Sequence, residues 1–320
     1  MSKAFLGIDI SKASFDVALL LPNDKINTKK FPNNKSGFKL LEVWLKLHNY
    51  ENLHACMEAT GIYGEPLANF LYYANYTVSV VNPMKIKGFG MSELSRTKTD
   101  RADSKLIARF CKAMNPSVWQ PLNAKYKELQ NLARRLEDLQ NLLRQEKNHL
   151  EATLSINVKQ SIKTVIKFLE KQIEKVKQSI RDKIDQNPKL KDQKVLLETI
   201  PGIGEATVIQ IISFINVNDF KNIKQLTAFI GLNPKHRQSG TSGSKSKISK
   251  IGNSSLRRAF YLPAVVAKKY NPIVKIFCER LAAVGKPTMV IICAAMRKLV
   301  HIVYGVLKSG KAFDAKLLIN

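Results

Sequence analysis

Cysteine is scarce in this sequence and never clustered: Cys56, Cys111, Cys278 and Cys293 are the only four in 320 residues, and no two form a C-x-x-C pair. That spacing indicates neither a zinc site nor a disulfide framework, and it suits a reducing cytoplasm. The opening run MSKAFLGIDIS lacks the charged, then apolar, then small-residue order of an export signal. Long uninterrupted apolar runs are missing too. The most apolar late stretch, Met289 to Leu307, is broken by Arg297, Lys298 and His301, which predicts a buried amphipathic helix and no membrane partner. Negative charge is what the chain lacks most: 25 Asp and Glu face 52 Lys and Arg, a formal net charge of +27. Such a chain repels itself unless a polyanion shares its surface, and nucleic acid is the leading candidate. Charge alone also leaves open a basic membrane-surface or ribosome-associated protein.

What is present suffices for a folded protein. With 45% hydrophobic residues the chain can bury at least one full core, and its length suggests two or three structural parts. Residues 4 to 10 (AFLGIDI), 15 to 21 (FDVALLL) and 26 to 31 (INTKKF) are short apolar or alternating runs with turn residues between them, the pattern of a strand meander. A helical period follows over Lys39 to Leu47, then a strand at Leu53 to Met57, a helix from about Tyr63 to Tyr73, a strand at Thr77 to Val81 and a helix beginning near Asp100. The order β-β-β-α-β-α-β-α is the succession of a ribonuclease-H-like fold, a mixed sheet flanked by helices. This part is taken as residues 1–122.

From residue 123 to 187 the pattern is helical. Leu132, Leu136, Leu139, Leu143, Leu150 and Leu154 form one apolar seam, and Ile162, Val165, Leu169, Ile173, Val176, Ile180 and Ile184 form another. The polar stretch from Asn157 to Ser161 reads either as a hairpin or as a weak heptad, and the whole as an arm or dimer zipper, or as helices packed within one subunit. Residues 188–320 form the third part. There Leu196 to Ile215 sets Pro-Gly-Ile-Gly between two apolar helical segments, like a helix-hairpin-helix turn. Gly202 and Gly204 would let backbone approach a phosphate at the next helix's N-terminus. A tight helix–helix turn without a ligand would look the same.

Between Phe220 and Cys278 there is no Asp or Glu, while twelve Lys and Arg occur. A run without compensating carboxylates should bind phosphates, with counterion release supplying much of the affinity. Inside it, Pro234 to Arg258 is a Ser/Gly-rich loop leading into an apolar helix. Ser239, Ser242, Ser244 and Ser246 lie among Arg237, Lys245 and Lys247. Hydroxyls among cations suit attack on a phosphodiester, since the cations stabilise the charged transition state. A disordered linker is the plainer alternative. Arg237, Lys245, Lys247, Lys250, Arg257 and Arg258 are the candidate phosphate contacts.

Four acids stand apart from the solvated majority. Asp9 lies inside the apolar strand FLGIDI, where an unpaired carboxylate is costly unless it holds a cation. Glu58 ends the apolar strand LHACMEAT. Asp100 and Asp103 stand three apart at a helix start, on one face and near the favourable end of the dipole. Each alone reads as an N-cap or salt bridge. Together, at strand ends and a helix start of one sheet, they match the demand of metal-assisted phosphoryl transfer for converging carboxylates.

These segments taken in order carry a family resemblance. GIDISK around Asp9, EATGIYG from Glu58, NPMKIKGF and SRTKTDRADS around Asp100 and Asp103 resemble the first domain of the DEDD-type insertion-sequence transposases, the IS one-ten group that includes the Piv DNA invertases. IPGIG, FIGLNP, QSG, ISKIGN with SLRRAFY, and RLAAVGKPTMVIICAAMRKL resemble its C-terminal transposase domain. The resemblance implies an α/β, RuvC-like fold with a magnesium (or manganese) site at Asp9, Glu58, Asp100 and Asp103, a coiled-coil arm, and a mostly α C-terminal domain. It maps the family's nucleophilic serine onto Ser239. It further implies DNA as substrate, a structured noncoding guide RNA, a dimer or tetramer whose active sites combine acids of one subunit with the serine of another, and a cytoplasmic, nucleoid-associated bacterial enzyme. The rival readings are a resolvase-type nuclease in which water attacks, and a noncatalytic nucleic-acid-binding protein with structural acids.

Overall fold

A computed structural model describes residues 3–48, 52–59, 61–93, 99–121, 123–235, 238–239, 242–243 and 247–316, with only the backbone described at 238, 239, 242 and 243. The chain divides into two compact units, Met1–Leu122 and Asn123–Asn320.

In the first unit, strands β1 (Ala4–Ile10), β2 (Ser14–Leu20) and β3 (Ile26–Pro32) form an antiparallel meander. Helix α1 (Lys35–Leu47), capped by Asn34, leads to β4 (Leu53–Glu58), which pairs parallel with β1. After a 3-10 turn at Gly61–Tyr63, helix α2 (Glu65–Tyr73) leads to β5 (Thr77–Val81), parallel to β4. The five-stranded order is β3-β2-β1-β4-β5. Helices α3 (Pro83–Ser92) and α4 (Asp100–Met114) complete the unit. Helix α3 was not anticipated, because Gly88 and Gly90 weaken its helical pattern; Asn82 as N-cap and Pro83 at the first position start it nonetheless.

The pleat sorts the strand residues onto two faces. Ala4, Leu6, Ile8 and Ile10 of β1 join Phe15, Val17 and Leu19 of β2 and Ala55 and Met57 of β4 in one core with Phe38 and Leu41 of α1 and Leu67 and Leu71 of α2. The opposite face carries Phe5, Gly7 and Asp9, and is covered by α4. A methyl group on Gly7 would stand 2.1 Å from the Ser104 carbonyl oxygen and 2.3 Å from the Ala108 nitrogen. Glycine at this point is what lets α4 lie directly on β1, with Ser104, Ala108 and Cys111 buried along the contact.

The second unit is helical. Helices α5 (Ala124–Ala152) and α6 (Ile156–Asp185) form a hairpin broken at Thr153–Ser155, slightly before the expected polar stretch. Thr153, ending α5, and Ser155, preceding α6, both take extended backbone there. Then follow α7 (Pro188–Glu198), α8 (Glu205–Phe214) and α9 (Ile223–Ile230), and the two-residue strands β6 (Pro234–Lys235), β7 (Gln238–Ser239), β8 (Ser242–Gly243) and β9 (Lys247–Ile248). Helices α10 (Ser254–Ala259), α11 (Tyr261–Tyr270), α12 (Pro272–Ala283) and α13 (Thr288–Ser309) close the unit. One core joins Leu129, Leu136 and Leu139 of α5 and Ile173, Ile180 and Ile184 of α6 with Leu226, Phe260, Leu299 and Val303. The hairpin is therefore rooted in this unit, while Leu154 and Ile156 at its turn are exposed. By length and composition α13 is apolar enough to cross a membrane; here Ile291, Ala295, Leu299 and Val303 are buried in the core.

Candidate active site

The carboxylates gather because β1 and β4 run parallel and end together. Ile8 is level with Met57 in the ladder, so the next residues, Asp9 and Glu58, fall side by side on the face that α4 covers. On the other side Asp9 is paired with Asp16 of β2. The close approach at Gly7 brings in the first turn of α4, whose N-cap Thr99 accepts from the Ala102 N–H at 3.1 Å and whose Asp100 and Asp103 lie in that turn. Arg101 anchors the same turn, its Nε donating to Thr28 Oγ1 at 2.7 Å. Asn33 spans the rim, its Nδ2 donating to the carbonyls of Ser11 at 2.9 Å and Tyr63 at 3.1 Å, which ties the loop after β1 to the turn after β4.

The electrostatic result is concentrated on Asp9. Burial, followed by the negative fields of Asp100, Asp103, Glu58 and Asp16, raises its pKa from 3.8 to about 6. The other three acids singled out from sequence thus all act on Asp9, and Asp16, absent from that set, is a fourth neighbour. Asp16 is paired with Lys30 Nζ at 3.3 Å. Its signal was available in the register of the hairpin, which sets it opposite Asp9. Among the described residues no three His, Cys, Asp or Glu side chains are placed to enclose an ion.

The serine segment is described in part. Arg237 and Lys245 lie outside the described residues, as do His236, Ser244 and Ser246. Gln238–Ser239 pairs antiparallel with Ser242–Gly243, and Pro234–Lys235 pairs with Lys247–Ile248, so the described backbone is laddered where a linker would be unpaired. The stem is closed at its base by the Lys250 N–H donating to the Gly231 carbonyl at 3.2 Å and the Ser249 N–H to that of Asn233 at 2.7 Å. Lys247 and Lys250 are exposed. Arg257 is committed to the stem: its Nη1 donates to the carbonyls of Ile230 at 3.0 Å and Lys250 at 3.2 Å. Gly231, at φ +79°, leaves room for that guanidinium. Arg258 points elsewhere and pairs with Glu137 at 3.2 Å.

The two glycines of the Pro-Gly-Ile-Gly turn have different surroundings. Gly202, at φ +101°, packs so closely on α11 that a methyl there would stand 2.9 Å from the Pro263 carbonyl oxygen. Gly204 is exposed, with open space where a side chain would be. The adjoining Glu205 is held by Arg181, Nε to Oε1 at 2.6 Å and Nη2 to Oε2 at 3.2 Å.

Comparison with known proteins decides the family. A transposase family model matches residues 6–157, and one described as the transposase IS116/IS110/IS902 family matches residues 194–279. Pilin gene-inverting proteins of Moraxella bovis and Moraxella lacunata are each 37% identical over 99% of this chain and 99% of their own. The chain belongs to the IS110 transposase family. An uncharacterised 43.6 kDa protein of insertion element IS110 from Streptomyces coelicolor is 24% identical over 38% of the chain and 30% of its own length. As an IS110-family member the chain is a transposase-type DNA recombinase, and both the carboxylates and the serine stem fall within matched segments.

Proposed function

We propose that this chain cuts and rejoins DNA with a magnesium–carboxylate centre at Asp9, Glu58, Asp100 and Asp103 and with Ser239 as nucleophile, under the guidance of a structured noncoding RNA. The observation that carries the reading is the setting of Asp9, whose proton affinity is raised first by burial and then by the fields of Asp100, Asp103, Glu58 and Asp16, a load that a cation would relieve. The donors are carboxylate oxygens, which suit a hard ion such as magnesium or manganese. The residues therefore fit the metal that the family resemblance implies. Bound there, magnesium would offset the charge that develops on a phosphodiester in transfer.

The remaining work falls to the chain. Ser239 Oγ forms a bond to phosphorus as one P–O ester bond of the strand breaks. The seryl proton passes to solvent, and the departing DNA oxygen takes up a proton. The covalent seryl phosphodiester conserves the bond for rejoining, which hydrolysis would forfeit. Lys247 and Lys250 flank the strand, together with Arg237 and Lys245, and Arg257 keeps the stem closed behind the nucleophile. The RuvC-like character of the first unit, the use of the α5–α6 hairpin as a coiled-coil arm, and assembly as a dimer or tetramer belong to the same reading. The full-length likeness to pilin gene-inverting proteins favours inversion of a DNA segment as one of its reactions.

The test incubates protein, copurified RNA and DNA with magnesium, then maps any protein–DNA adduct by peptide mass. An adduct at Ser239 is expected, absent from Ser239→Ala and retained in Ser242→Ala and Ser244→Ala. Alanine at Asp9, Glu58, Asp100 or Asp103 should abolish cleavage. Recombination by Ser239→Ala would overturn the serine assignment in favour of attack by water, and cleavage by all four acid variants would overturn the metal centre.

A further inference from the structure

The second unit holds a cavity of about 400 Å³ that the reading above leaves unused. It opens between α5, α8, α10 and α11, beside Gly202. Its floor and sides are apolar, with Leu136, Pro263 and Val266 among them, and its polar groups fall into two kinds. Gln140 and Asn141 on one wall and Gln210 on another present amides, which both donate and accept; the Asn141 Oδ1 accepts from Arg144 Nη1 at 3.4 Å and the Gln210 Oε1 from Ser255 Oγ at 3.5 Å. Arg144 and Arg258 supply cations at positions that are exposed to solvent. Glu137 is the sole acid among the described lining residues, and it is engaged: its carboxylate accepts from Ser255 Oγ and pairs with Arg258.

We propose that this cavity takes up one unpaired nucleotide, its base between the amide-bearing walls and its phosphate against Arg144 and Arg258. The volume is that of a small-molecule site and excludes a duplex. Amide side chains match the mixed donors and acceptors of a base edge, which pairing would otherwise hide. The α10 and α11 walls come from the stretch without acids, so the approach favours a polyanion. A strand whose base has left its stack thereby gains a binding term that paired strands lack, and unstacking is least costly at mismatches and single-stranded positions. This inference rests on the nucleic-acid reading above.

The probe is a short single-stranded DNA carrying one 2-aminopurine, with an RNA of the same sequence and a fully paired duplex alongside. None of the described lining residues is aromatic, so a base leaving its neighbours for this cavity loses stacking and its emission rises. Wild-type protein should raise that emission. Ala206→Leu, which adds aliphatic bulk at an exposed helix position lining the cavity, and Gln210→Met, which removes an amide at similar volume, should abolish most of the rise. Both should weaken single-strand binding by up to about tenfold, the order of one base-edge hydrogen bond, and leave duplex binding unchanged. Whichever of the DNA and RNA strands loses more affinity identifies the source of the nucleotide. Single-strand binding and emission in both variants equal to wild type would overturn the cavity assignment alone. Wild-type protein with no affinity for strand or duplex would refute the nucleic-acid reading beneath it.

Discussion

Replacing Asp9 with asparagine should make the metal-free protein more stable while destroying its chemistry. The folded chain binds the Asp9 proton more tightly than the unfolded chain does. Its contribution therefore favours folding fully below about pH 4 and is lost as pH rises through about 6, leaving a constant penalty beyond. A rise from 3.8 to about 6 corresponds to about 3 kcal/mol at about 1.36 kcal/mol per pH unit. Asp9 is only partly buried, and solvent screening reduces the penalty to about 1–2 kcal/mol. Asparagine keeps the shape and removes the charge. In thermal unfolding at pH 8 with chelator, Asp9→Asn should melt about 4–8 °C above wild type, and the difference should vanish near pH 4. Magnesium should reverse the order, stabilising wild type by mass action and leaving the variant unmoved. An Asp9→Asn protein with no advantage at pH 8, or with the same advantage at pH 4, would refute the burial and carboxylate field inferred at Asp9.

Gly7→Ala should destabilise the first unit by at least about 1–3 kcal/mol, the range for overpacking, since its methyl meets backbone atoms at 2.1 and 2.3 Å; denaturant unfolding measures this. By lifting α4 it should also lower the Asp9 pKa, which NMR titration reads. Arg257→Ala and Arg258→Ala should part company. The first should loosen the serine stem, read by hydrogen exchange at Ser249 and Lys250, whereas the second should flatten the salt dependence of DNA affinity with the stem intact.

Most of the first unit was legible because its residues obey one period at a time. Strands β1 to β5 alternate or run apolar between turn residues, and the acids break that pattern where a carboxylate has no structural reason to be. Asp16 stayed hidden for the opposite reason: in FDVALLL it reads as the solvated side of an alternating strand, and only pairing with β1 sets it beside Asp9. Residue type likewise says nothing of how Arg257 is engaged. Its neighbour Arg258 looks identical in sequence, yet one turns toward two backbone carbonyls and the other toward Glu137. The Glu137–Ser255 contact joins residues 118 apart in the chain, beyond the reach of any local pattern.

The hairpin of the second unit has a mechanical consequence. Helix α5 continues without a break from the exposed turn at Thr153–Ser155 to Glu137 and Gln140 in the cavity wall, a rod of roughly 24 Å at 1.5 Å per residue. Beyond the wall the same helix is sunk in the core through Leu129 and Ala133. The α5–α6 pair is thus held in the core at one end and exposed at its turn, with the cavity beside the held end. A sideways load on the tip, from any molecule that grips Leu154 and Ile156, would bend the paired helices together and change the width of the cavity mouth.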